Sequence, residues 1–193
     1  MGLLDGKVAF VTGAARGQGR SHARRLAEEG ADIIAIDACA TPGWLSYPLA
    51  GEEDLAQAVK EVEALDRRIV ARRADVRDLG AVRAVLDEGV ALLGGRLDIV
   101  CANAAIISQP APTWEIDLDQ WRELIDVTLT GVFVTVKAAI PHMIAAGNGG
   151  CVVLTSSGAA LVSGAGLADY RADRKSTRLN SSHIQKSRMP SSA

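Results

Sequence analysis

The sequence predicts an α/β domain: a parallel sheet with helices on both faces. Three observations carry that prediction. Short apolar runs alternate with helical periodicity along most of the chain. A glycine-rich turn, Thr12-Gly13-Ala14-Ala15-Arg16-Gly17-Gln18-Gly19, stands between the first run and the first helix. Aspartate or asparagine ends three of the later runs, at Asp37, Asp75 and Asn103.

Lys7-Val8-Ala9-Phe10-Val11 is the first strand, and residues 20–29 the first helix, stopped by Gly30. A strand, a glycine-rich turn and a helix in that order form a phosphate cradle. Glycine lets the backbone approach a pyrophosphate, and the helix start offers unpaired N–H groups. The turn lacks a Gly-Lys-Ser/Thr ending, which argues against a nucleoside triphosphatase. Asp32-Ile33-Ile34-Ala35-Ile36 is the second strand, ending in Asp37. Residues 38–50 are irregular and long for a βα connection, which usually takes about 2–6 residues. A functional loop and a plain surface insertion are both open readings.

Leu55, Val59, Val62 and Leu65 recur at helical spacing over residues 52–66. Residues 68–74 read as a third strand, followed by Asp75-Val76. Asp78 caps a third helix over 78–93, and Leu97-Asp98-Ile99-Val100-Cys101-Ala102 is a fourth strand. A long helix is expected over 119–146, apolar around more than one stripe and bent near Pro141. Cys151-Val152-Val153-Leu154-Thr155 is the fifth strand. Five strands and four to five helices in this alternation, with right-handed crossovers, make a Rossmann-type doubly wound domain.

The chain has 193 residues, 48% of them hydrophobic, with a formal net charge of −2. These values suit one soluble domain with a sizeable core. No run of about eighteen apolar residues suggests a membrane span, and no secretory signal stands at the N-terminus. Cytoplasm is the expected location. Cys39, Cys101 and Cys151 read as buried thiols, and His22, His142 and His183 make no ligand-spaced cluster, so no metal is expected. Residues 173–193 carry five basic and one acidic side chain, against 16 basic and 22 acidic in the rest. The acidic main body argues against nucleic-acid binding.

Residues 173–193 hold six serines, and by composition they read as a disordered tail. They also resemble translated sequencing-adapter DNA. That likeness implies that the natural sequence ends near Ala172 and that the Rossmann-type domain, residues 1–172, is C-terminally truncated.

From about Leu4 to Ala172 the chain resembles the short-chain dehydrogenase/reductase family. Thr12-Gly13-x-x-x-Gly17-x-Gly19 is similar to its cofactor turn, and Asp75-Val76 to its adenine-contacting pair. Asn103-Ala104-Ala105 is similar to its Asn-Ala-Gly turn, with Ala105 for glycine. Ser157 stands thirteen residues before Tyr170, the family's catalytic serine-to-tyrosine spacing. The resemblance implies cofactor-binding roles for Gly13, Ala15, Arg16, Gly17, Gln18, Gly19, Asp37, Asp75, Val76, Asn103 and Ala104. It implies hydride transfer between a nicotinamide and a small alcohol or carbonyl substrate. Ser157 would hold the substrate oxygen and Tyr170 would exchange its proton.

A carboxylate at Asp37 can accept from the ribose hydroxyls of NAD and repels a 2′-phosphate. Arg16 argues the other way, and on balance NAD is favoured over NADP. Two positions depart from the family. Arg174 stands where it has lysine, and Thr128 where it typically has asparagine, so a structural threonine is as good a reading as a catalytic one. The wording of residues 13–23 and the insert ending Tyr47-Pro48-Leu49-Ala50 resemble the actinobacterial, carveol-dehydrogenase-like branch coupled to mycofactocin. That branch implies a tightly held NAD, re-oxidised by a separate redox carrier, with residues 38–50 as its cover.

Family members run on for about 80–100 residues past the tyrosine, and full-length relatives are homo-oligomeric. The chain of 193 residues is therefore expected to be inactive and aggregation-prone, with one sheet edge open. A non-catalytic dinucleotide-binding sensor on the same fold is the alternative.

Overall fold

The computed structural model describes residues 2–161 and 166–172. The sheet strands are β1 (Val8–Thr12), β2 (Asp32–Asp37), β3 (Ile69–Arg73), β4 (Ile99–Ala102) and β5 (Cys151–Leu154). All pairs are parallel, in the order β3-β2-β1-β4-β5. The order reverses between β1 and β4, and in such sheets a crevice opens there beyond the carboxyl ends of the strands. The sequence prediction of a Rossmann-type doubly wound sheet holds in every strand, with boundaries shifted by one or two residues.

The central strands are apolar on both sides because both sides are covered. Phe10, Ile34, Ile36 and Val100 point into one core with Val82 and Leu86 of α3 (Leu79–Leu92) and Val134, Ala138 and Met143 of α5 (Gly131–Ala146). Ala9, Val11, Ile33 and Ala35 face the other way. There they meet Ala23 and Ala27 of α1 (Gly17–Glu28) and Val62 of α2 (Glu52–Glu63). The small alanines of α1 let that helix lie close on β1 and bring its first turn over the strand ends.

Local chemistry sets the helix starts. The Asp78 carboxylate accepts from the N–H of Ala81 at 3.0 Å, the expected cap of α3. Asp117 accepts from Asp119 and Gln120 at the head of α4 (Leu118–Ile125). The Gly51 N–H donates to Asp54 Oδ2 at 2.9 Å, closing the strand-to-helix insert onto α2.

Four expectations need correction. The long helix over 119–146 is α4 and α5 joined by a π-helical turn, Asp126–Thr130. That turn adds a residue to the ladder and points Thr128 fully inward. Taken together, Leu118–Ala146 is long and apolar enough to cross a membrane by length and composition, contrary to the reading from apolar runs alone. Much of it is instead a layer of this domain. Of the apolar stripes read along it, not all are buried among the described residues. Val134, Ala138 and Met143 lie inside, whereas Phe133 and Ile144 are exposed. Last, Cys101 is buried but Cys39 is only half-buried, and Cys151 is exposed on the outer strand of the five.

Candidate dinucleotide cleft

The crevice at the β1/β4 reversal is a cleft of about 500 Å³. Gly13, Arg16, Gly17, Gln18, Asp37, Asp75, Val76, Asn103, Ala104 and Tyr170 line it, and so do residues of the 38–50 insert. Ala15, Gly19, Thr128 and Ser157 do not.

The glycine turn is shaped by its neighbours. Gly13 has φ +66°, and a Cβ there would stand 2.9 Å from the Cα of Ala104. A Cβ on Gly19 would stand 1.9 Å from the carbonyl oxygen of Gly13. Only glycine lets the turn fold back on itself and lie against the end of β4. Thr12 fixes that contact. Its hydroxyl accepts from the N–H groups of Asn103 and Ala104, each at 3.0 Å, while Asn103 Nδ2 donates to the Thr12 carbonyl at 3.0 Å. Ala15 is fully buried, and its carbonyl accepts from Arg20, which also reaches Asp54.

Asp37 ends β2 beside this turn. Its Oδ2 accepts from Ala15 N–H at 3.0 Å and its Oδ1 from Cys39 N–H at 3.1 Å. Each oxygen keeps a second lone pair for a further donor. Cys39 has φ +48°, and burial pushes its thiol up to about 11. Arg16 is committed elsewhere, donating to the Pro48 carbonyl at 2.8 Å.

Residues 38–50 form a strap across the cleft. The Trp44 indole N–H donates to Glu123 Oε2 at 2.6 Å. The Tyr47 hydroxyl donates to the Ile107 carbonyl at 2.9 Å and accepts from the Ile107 N–H at 3.2 Å. Gln109 Nε2 donates to Ser46 Oγ at 2.8 Å. Arg77 joins the opposite wall, pairing with Asp75 and with Glu123. Burial alone would raise the Asp75 carboxyl, but the Arg77 hydrogen bonds outweigh it and hold the group below its ordinary value. Glu123, Arg77 and Ile107 line the wall and carry no sequence signal for it; the length of the insert is the only hint.

The two expected catalytic side chains lie on either side of residues 162–165. Ser157 caps the 3-10 turn Gly158–Ala160, its hydroxyl accepting from Ala159 N–H at 3.1 Å. Tyr170 sits in a helical turn at 168–172 and lines the cleft. The Thr128 hydroxyl accepts from Ile106 N–H at 3.4 Å and is fully buried, which gives it a structural partner in the wall. Arg174 and the expected tail over 173–193 lie outside the described residues.

This sheet order, turn and cleft define a dinucleotide-type α/β domain. The short chain dehydrogenase family model matches residues 7–179. The chain belongs to that family. It is 56% identical over 157 residues to a short-chain type dehydrogenase/reductase of Mycolicibacterium smegmatis, covering 81% of this chain. It is 49% identical over 172 residues to (-)-trans-carveol dehydrogenase of Rhodococcus erythropolis, covering 89% of this chain. The chain spans 56% and 62% of the lengths of these two curated relatives. Carveol dehydrogenase from Mycobacterium avium in complex with NAD superposes with a TM-score of 0.88 at 48% identity, over 91% of this chain and 63% of that one. A short chain dehydrogenase from Mycobacterium paratuberculosis bound to NAD gives 0.89 at 43% identity, over 96% and 69%.

Proposed function

We propose that this chain binds NAD in the cleft and belongs to an oxidoreductase that moves a hydride between the nicotinamide and an alcohol or carbonyl carbon. The observation that carries the reading is the fit of the Gly13–Gly19 turn to a pyrophosphate. Its glycines at 13 and 19 leave no room for a Cβ, it opens α1, and Asp37 stands beside it. The engagement of Arg16 by Pro48 favours NAD over NADP, because the one basic group of the turn is tied to the strap.

Bound NAD supplies the hydride acceptor or donor. Tyr170 exchanges a proton with the substrate oxygen and Ser157 donates a hydrogen bond to it. A tyrosine with an ordinary pKa of about 10 needs a nearby cation to act near neutrality. Arg174 stands where the family has lysine, and its fork differs from an ammonium in shape and donor geometry. On that ground the chain of 193 residues binds cofactor without turning over. The strap's bonds across the cleft support slow cofactor exchange, and with it re-oxidation by a separate carrier such as mycofactocin.

Titrating the chain with NAD and with NADP, then assaying secondary alcohols, tests this reading. Binding of NAD in preference to NADP supports it, and no binding refutes it. Turnover by the 193-residue chain would refute the inactivity. In a chain carried to the relatives' length, Tyr170→Phe that keeps NAD binding and abolishes turnover separates an enzyme from a sensor.

A further inference from the structure

Residues 107–109 lie between the strap and the segment bearing Tyr170, and they face the two alternately. Ile107 and Gln109 hold the strap, through the Tyr47 hydroxyl and Ser46 Oγ. Ser108 between them faces the other way and donates its hydroxyl to Asp169 Oδ1 at 2.9 Å. Ser108 is 4% exposed and Asp169 fully buried. The same Oδ1 accepts the N–H of Tyr170 at 2.8 Å, and Asp169 Oδ2 is buried without a hydrogen-bond partner among the described residues. A few residues on, Ala111 N–H donates to the Gly166 carbonyl at 2.9 Å, a second tie between the same two segments.

A buried carboxyl group with so few donors depends heavily on each of them. Ser108 therefore fixes where the turn carrying Tyr170 can sit. Ile107, Ser108 and Gln109 are consecutive in the chain, so a shift of Ile107 on the strap side carries Ser108 with it, and Tyr47 thereby fixes where Ser108 can sit.

We propose that residues 107–109 couple strap closure to the placement of Tyr170, with Ser108, Asp169 and Tyr47 as positioning residues. Releasing the strap frees the tyrosine turn, and releasing the tyrosine turn frees the strap. The meaning of this coupling for cofactor retention rests on the NAD reading above. The coupling itself does not.

Hydrogen exchange read by mass spectrometry on the whole chain, without cofactor, tests it. Ser108→Ala touches no strap residue, yet amides in 38–50 should exchange about tenfold faster, as those in 166–172 do, the scale of one lost hydrogen bond to a carboxyl group. By reciprocity, Tyr47→Phe should speed exchange in 166–172. Ser108→Thr keeps the hydroxyl and should restore protection in both segments. The β1 to β3 amides should stay protected throughout, which separates coupling from general unfolding. Faster exchange confined to 166–172 in Ser108→Ala, or loss of protection across the sheet, would overturn the proposal. NAD titration of the unmutated chain by tryptophan fluorescence reads the cofactor assignment separately: coupled exchange without NAD binding sinks that assignment and leaves the coupling standing.

Discussion

Oδ2 of Asp37 accepts the N–H of Ala15 at 3.0 Å, so the residue that ends β2 also holds the glycine turn after β1. The carboxylate is at once part of the fold and part of the proposed ribose site. Asp37→Ala should therefore lower stability by about 1–2 kcal/mol, since two backbone donors lose their acceptor. It should also weaken NAD more than NADP. Urea unfolding and parallel titrations with the two dinucleotides measure both effects.

The glycines of the turn should separate sharply by environment. Gly19→Ala drives a Cβ into the Gly13 carbonyl and should cost about 3 kcal/mol or more. Gly17 has φ +58°, but no atom lies within 4 Å of where its Cβ would stand, so Gly17→Ala should cost only about 1 kcal/mol from backbone strain. Thermal melts of the two variants give the comparison; equal losses would contradict the close-packed turn.

Glu123 is shared by Trp44 of the strap and Arg77 of the wall. Glu123→Ala releases both, whereas Trp44→Phe releases only the indole contact. NAD should dissociate faster from both variants, and fastest from Glu123→Ala, by about tenfold or more, the scale of one or two lost hydrogen bonds to a charged group. Displacement of bound NAD by labelled NAD reads the rates directly.

Asp98 accepts from Val8 N–H, Arg96 and Lys7, beneath the junction of β1 and β4. Burial would raise this carboxyl, but its hydrogen bonds with Arg96 and Val8 outweigh that and hold it below its ordinary value. The folded state then binds the proton less readily than the unfolded chain does. The stabilisation is complete above the unfolded value of about 4 and is lost as pH falls through the lower folded value. Urea midpoints should fall below about pH 4, and Asp98→Asn should flatten that slope while lowering stability at about pH 7.

Much of the sheet was legible because its central strands are buried on both faces. Runs such as Val8–Thr12 and Asp32–Asp37 are apolar along most of their length, which separates them from the spaced pattern of α1 and α2. The turn, Asp37 and Asn103 could be found because each needs a fixed residue type at a strand end. The strap bonds were not legible, because Trp44–Glu123 and Tyr47–Ile107 join residues 79 and 60 apart and one of the acceptors is a backbone oxygen. The π turn escaped for a different reason: apolar periodicity does not register one added residue inside a continuous helix. The exposure of Cys151 depends on which strand lies outermost, and a run of apolar residues carries no such information.

The clip between Thr12 and Asn103 spans 91 residues, and it sets when the cleft can come into being. During synthesis, β1, β2 and β3 can pair as soon as residue 73 has emerged, with the glycine turn already covalently in place. That turn lacks its floor until β4 arrives, because Asn103 and Ala104 supply the partners for both the Thr12 hydroxyl and its carbonyl. A nascent chain that already carries the whole glycine turn therefore still lacks the contacts that hold the turn in its folded position, and these form only once β4 has paired with β1.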